Sequence, residues 1–184
     1  MFAIAINGGR VTEHTEDDIL INRFLAGEIQ AFDSLYEKHY PQVFKIARGI
    51  VLDPDEAADA CQEVFALVYK NLSKFDRRAK FSSWLHRVAV NRTIQYYRQN
   101  SKHRRNVELI VDVPAPEGHS PSDPAVSRAL LQLSTDDRAI ITLFYWEELS
   151  LDEIADALQC NPNAAKTRLY RARERFKQAW EKGI

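Results

Sequence analysis

Cysteine is scarce in this chain: Cys61 and Cys160 are its only two, and they lie far apart. That excludes a disulfide framework and a paired-cysteine zinc pattern, and it makes a reducing cytoplasm the default compartment. No apolar run approaches the roughly 20 residues needed to cross a bilayer, so membrane insertion is not expected. The apolar stretch Met1–Ile6 is too short for a signal peptide and no basic segment precedes it; 1–16 carries no recognisable motif and reads as a disordered leader. Glycine is also sparse, with six in all. None of them builds a phosphate-binding loop or a nucleophile elbow. The five histidines, His14, His39, His86, His103 and His119, have no metal-like spacing. These absences leave no expected catalytic residue, metal or cofactor.

Net charge is nearly absent as well, at −1, until it is resolved along the chain. Arg77 to Arg105 contains nine Lys/Arg and no acid, and Lys166 to Lys182 contains seven against Glu174 and Glu181. The acids gather elsewhere, at Asp53, Asp55, Glu56, Asp59 and Glu63 and between Asp136 and Asp156. Two basic segments in a neutral chain point to two contacts with a polyanion, and the acidic faces are left for another partner.

What is present in quantity is helical periodicity, and it predicts an all-α fold. Four of the seven prolines, Pro114, Pro116, Pro121 and Pro124, fall with Gly118 in the polar stretch 106–124. This stretch reads as a flexible linker between two small helical domains, 17–105 and 125–184. In the first domain the pattern predicts helices over 17–26, 30–51 (with Pro41 a possible kink), 54–72 and 84–99, with a polar loop at 75–83. Asp53-Pro54-Asp55-Glu56 is a strong start: an acceptor at the cap, proline at the first helical position, and Glu three after the cap. Ala57, Cys61, Val64, Phe65, Val68 and Leu72 then share an apolar face, opposite Asp59, Gln62 and Glu63. In the last helix of this domain Arg87, Asn91, Gln95, Arg98 and Lys102 fall on one polar stripe.

The second domain carries helix starts at Asp123-Pro124 and Ser134-Thr135-Asp136-Asp137, then a capping box, Ser150 with Glu153. A short helix to about Leu158, the turn Gln159-Cys160-Asn161, and a basic helix from Pro162 form the pattern of a helix-turn-helix. Ala165, Leu169, Ala172 and Phe176 are its buried face, so Thr167, Tyr170 and Arg171 face outward where such helices meet base edges. Lys166, Arg168, Arg173 and Arg175 suit phosphate contacts, and Arg171 suits a bidentate pair with guanine. The basic segment of the first domain is interleaved with Phe75, Phe81, Trp84, Tyr96 and Tyr97, the combination that receives unstacked bases of single-stranded DNA. Most of these rings read as core; Phe75, in a polar loop, is the one expected to be free. His86 reads as a surface or DNA-facing residue, Cys61 as core.

Two blocks of residues resemble a known family. Asp59-Ala60-Cys61-Gln62-Glu63-Val64-Phe65, Phe75 and Phe81-Ser82-Ser83-Trp84-Leu85-His86-Arg87-Val88-Ala89-Val90-Asn91 are similar to the second domain of extracytoplasmic-function sigma factors. Leu149–Arg175, with Leu-Ser-Leu-Asp-Glu-Ile-Ala and Ala-Lys-Thr-Arg-Leu-Tyr-Arg-Ala-Arg, resembles their fourth domain. The resemblance covers about 31–105 and 125–178. It implies that Asp59, Gln62 and Glu63 dock on core RNA polymerase. It also implies that Asn71, Phe75, Arg77, Arg78, Lys80, Arg87 and Asn91 recognise the minus-ten element, partly as single-stranded DNA. Lys166, Thr167, Arg168, Tyr170, Arg171, Arg173 and Arg175 would then engage the minus-thirty-five duplex. An anti-sigma factor is a further expected partner. The chain departs from the family where Asn163-Ala164-Ala165 replaces a common Gly-Thr-Val, which bears on the minus-thirty-five preference. A conventional helix-turn-helix regulator and a helical adaptor are the competing readings.

Overall fold

The computed structural model describes residues 15–104 and 124–182, with side-chain placement at 101–104 excepted, and among them every regular element is helical. The expected leader, apart from its last two residues, and almost all of the linker lie outside the described residues. In the N-terminal domain α1 (Glu16–Leu25) begins one residue before its predicted start, because Thr15 closes a capping box with Asp18. Gly27, at φ 100°, ends it in a left-handed turn, with Glu28 N–H reaching the Arg23 carbonyl. α2 (Gln30–Val51) runs unbroken through Pro41, whose ring faces solvent. α3 (Pro54–Asn71) is capped by Asp53, whose side chain accepts from Glu56 N–H at 2.9 Å. A short 3-10 turn, Leu72–Lys74, leads to α4 (Phe81–Arg104).

α4 starts three residues before its expected start at Trp84. Phe81 is buried against Phe75, Trp84 and His39, and that burial recruits the end of the expected loop into the helix. The C-terminal domain comprises α5 (Pro124–Leu131), α6 (Thr135–Tyr145), α7 (Leu151–Ala157) and α8 (Pro162–Lys182). Ser134 caps α6 and Ser150 closes a capping box with Glu153 on α7, as their spacing predicted.

Leu35, Val43, Ile46, Ile50, Val64, Leu72 and Leu85 are fully buried between α2, α3 and α4. Leu130, Ile140, Leu143 and Ile154 fill the second domain. Each such side chain contributes on the order of 1.5–3 kcal/mol through removal from water. The two domains do not stand apart. α2 packs on α6, and α4 packs on α7 and α6, so the apolar cores are continuous. The two domains approach closely at Gly49: a Cβ there would meet Thr142 Cγ2 at 2.7 Å and its Cβ at 3.0 Å.

Candidate nucleic-acid and polymerase interface

The helix-turn-helix is α7, its turn and α8. Hydrogen bonds from Ser150, first from the hydroxyl and then from the backbone amide, hold the Glu153 carboxyl below its usual range and fix the start of α7. The turn is a Schellman motif: Cys160 N–H bonds the Ala155 carbonyl at 2.9 Å and Gln159 N–H bonds that of Asp156 at 3.3 Å. Its left-handed position is Gln159, at φ 51°, where glycine carries no Cβ penalty. Replacing Gln159 with glycine should therefore be neutral to stabilising, by up to about 1 kcal/mol, in a thermal melt. A marked loss of stability would show that the Gln159 side chain holds the turn. Asn161 then caps α8 by accepting from Ala164 N–H at 2.8 Å, with Pro162 at the first helical position.

Ala165, Leu169 and Ala172 are buried, and Lys166, Thr167, Arg168, Tyr170 and Arg171 are exposed, Tyr170 by 66%. The Thr167 hydroxyl donates to the Asn163 carbonyl at 2.9 Å, so its proton is committed while its acceptor capacity and its methyl remain. Asn163 and Glu174 are exposed and lie on the same outward stripe. The helical period that selected Thr167 and Tyr170 extends to both, yet neither entered the expected set.

Of the expected phosphate ligands, Arg175 has a partner within the fold. Arg175 pairs through Nη1 with Asp137 Oδ2 at 2.6 Å, and that carboxylate also accepts from the Ser134 hydroxyl. Arg175 therefore ties α8 to the start of α6. Arg175→Ala should lower the melting temperature, by an amount equivalent to about 1 kcal/mol, and leave base preference unchanged. Arg173 borders an apolar groove of about 570 Å³ lined by Tyr145, Trp146, Phe176 and Trp180.

In the first domain the expected free aromatic, Phe75, is only 8% exposed and packs against Phe81 and Trp84, with centroids at 5.7 and 5.5 Å. Its face is not available to a base in this arrangement. The loop around it remains polar and exposed: Arg77, which donates to Asn22 Oδ1; Arg78, paired with Asp76 at 3.2 Å; and Lys80. Asn71 Nδ2 donates to the Leu67 carbonyl at 2.9 Å. Asn91, Gln95 and Arg98 are exposed along α4 and border a recess of about 460 Å³, with Asp136 of α6 also in its lining. Arg87 is half-buried.

His86, expected at the surface, is 7% exposed and faces Glu147 of the second domain at 3.9 Å. Burial holds its imidazole below the usual value. Sequence periodicity cannot report this, because the residue that covers it comes from the other domain.

On α3, Asp59 and Gln62 are exposed, and Asp59 accepts from the Tyr96 hydroxyl at 3.4 Å. Glu63 is engaged within the domain, 2.7 Å from Arg92. Leu67, 39% exposed, continues this face and adds an apolar contact that the acid-and-amide pattern did not single out. Cys61 is buried, which pushes its thiol up to about 12, and it carries no reactive thiolate. Among the described residues no cluster could hold a metal ion and no helix is long and apolar enough to cross a membrane.

A helix-turn-helix with an exposed basic face, joined to a second helical domain whose basic helix carries its own polar stripe, is the architecture of a DNA-binding protein. The family model for sigma-70 region 2 matches residues 35–103, and that for sigma-70 region 4 matches 124–176. The ECF RNA polymerase sigma factor SigW of Bacillus subtilis is 30% identical over 177 residues, covering 86% of this chain and 93% of that one. SigM of Mycobacterium tuberculosis is 30% identical over 170 residues, covering 92% and 86%. The sigma factor RpoE of Bartonella quintana, solved with the anti-sigma factor NepR, shares the fold at a TM-score of 0.66 and 23% identity, over 82% of this chain and 96% of that one. The chain belongs to the sigma-70 family, in its extracytoplasmic-function group, and directs promoter-specific transcription initiation.

Proposed function

We propose that this protein binds core RNA polymerase in the cytoplasm and gives it promoter specificity through two separate DNA contacts. The observation that carries the reading is the exposed Thr167–Tyr170–Arg171 face of α8 together with the separate Asn91–Gln95–Arg98 stripe of α4. α8 reads the minus-thirty-five element as duplex: Arg171 takes a guanine edge, and Thr167 offers a methyl to thymine. Lys166 and Arg168 hold the phosphates and set the register. α4 and the basic loop before it engage the minus-ten element as it opens. There Arg77, Arg78 and Lys80 follow the backbone, and Asn91 bonds an extruded base. Asp59 and Gln62 dock on the polymerase, joined by Leu67.

The chemistry of RNA synthesis belongs to the polymerase; this chain positions DNA and holds it open. An anti-sigma factor fits as the restraining partner, since the RpoE likeness was solved in such a complex. Purified core polymerase with and without this protein, on a panel of promoters, tests the reading. Specific initiation from otherwise silent promoters supports it. Tight duplex binding by the free protein, with no initiation, would replace it with a conventional regulator.

A further inference from the structure

We propose that Asn163 is a base-reading residue of α8 that selects an adenine in the minus-thirty-five element. This rests on the reading of α8 given above and deepens it. As the second residue of α8, Asn163 has no local task that asks for an asparagine. The cap is Asn161, whose side chain accepts from Ala164 N–H at 2.8 Å and whose carbonyl accepts from Ala165 N–H at 3.0 Å. Pro162 takes the first helical position. The Asn163 side chain is exposed and has no hydrogen-bond partner among the described residues. Alanine would suit the helix better, so stability does not account for the residue.

What the position offers is orientation. Asn163 stands about 180° around the helix axis from the fully buried Ala172. It therefore lies on the middle line of the outward face, with Tyr170 about 20° to one side and Thr167 about 40° to the other. Cations border this line on both sides: Lys166 and Arg173 on one, Arg168 and Arg171 on the other, all exposed. A helix in the major groove presents its middle line to base edges and its borders to the two phosphate strands. Arg171 has the length to reach inward from its border. The Thr167 hydroxyl donates to the Asn163 carbonyl at 2.9 Å, which ties two residues of the middle line together.

The chemistry of the side chain selects the base. A primary amide carries an acceptor and donors in one plane. Adenine offers the matching pair, an N7 acceptor beside an N6 donor. Guanine shows two acceptors, cytosine a donor, and thymine an acceptor beside a methyl, so each satisfies only half of the amide. Along the axis Asn163 is about 12 Å from Arg171, or about three to four base pairs at 3.4 Å per pair. The adenine should lie at that spacing from the guanine assigned to Arg171. The glycine common at this position in the family pattern has no side chain to read with, so the preference sets this chain apart from that pattern.

The test uses the full chain assembled with core polymerase, selecting binders from promoters whose minus-thirty-five positions are randomised. Wild type, Asn163→Ala and Arg171→Ala are compared. Wild type should enrich adenine at one pair, where guanine lowers its affinity about tenfold and that of Asn163→Ala by less than about twofold. Asn163→Ala should keep the wild-type melting temperature and the guanine preference that Arg171→Ala loses. At the selected pair 7-deazaadenine, in which C–H replaces N7, should weaken wild type about fivefold and leave Asn163→Ala unaffected. The proposal is overturned if Asn163→Ala weakens binding evenly at every pair, or loses a preference for a base other than adenine. It is also overturned if 7-deazaadenine weakens both proteins alike. A preference that Arg171→Ala loses and Asn163→Ala keeps in full defeats this inference alone. Wild type with no preference at any minus-thirty-five pair defeats the reading of α8 and this inference together.

Discussion

Arg171→Ala should weaken binding to the minus-thirty-five duplex by about 1–3 kcal/mol, roughly 5- to 150-fold, and relax preference at one base pair. Arg171 is exposed on the outward face of α8, beside Tyr170 and one turn from Thr167. A guanidinium there offers two parallel donors to guanine O6 and N7, whereas alanine leaves those acceptors without a partner. The measurement is fluorescence anisotropy on a duplex panel with each base pair varied, at fixed salt because phosphate contacts dominate raw affinity. Uniform weakening across the panel, with the salt slope reduced by about one, would reassign Arg171 to a phosphate. Arg175→Ala is the matched control, since its side chain is committed to Asp137.

Asn91→Ala should impair promoter opening more than duplex binding, with open complexes reduced by an amount equivalent to about 1–3 kcal/mol. Asn91 is exposed on α4 beside the recess that Gln95 and Arg98 also line. Its amide carries both donors and acceptors, as reading the edge of an extruded base requires. Extrusion costs a few kcal/mol of stacking, so a contact made only after extrusion acts on opening and not on initial docking. Permanganate footprinting of the minus-ten region, alongside binding to a closed duplex at low temperature, separates the two. Equal losses in both assays would place Asn91 in duplex recognition instead.

The local structure was legible because its signals are local. Asp53-Pro54, Ser134 and the Ser150–Glu153 box are chemical caps acting within four residues, and all three helices start where their spacing predicted. The buried faces of α3 and α8 followed from the 3.6-residue period, down to Cys61 and Ala165 at zero exposure. The exposed face of α8 was legible for the same reason, being the complement of a buried stripe. Where the sequence misled, a distant residue was responsible. Phe75 looked free in a polar loop, but Phe81 and Trp84 close over it. Arg175 gave no sign of an internal partner, but Asp137, thirty-eight positions away, pairs with it.

The sequence by itself determined the starts of eight helical segments to within about three residues, several of their caps, the two basic segments and the order of the two domains. Each of these depends on hydrogen bonds and periodicities that span only a few residues. Only the tertiary structure decided that the domains pack through α2, α4, α6 and α7. It also decided that His86 and Glu147 are buried against each other and that Gly49 is tightly covered by Thr142. Those contacts join residues far apart in the chain. Whether they form depends on the shapes and charges of two finished surfaces, and no local pattern encodes that.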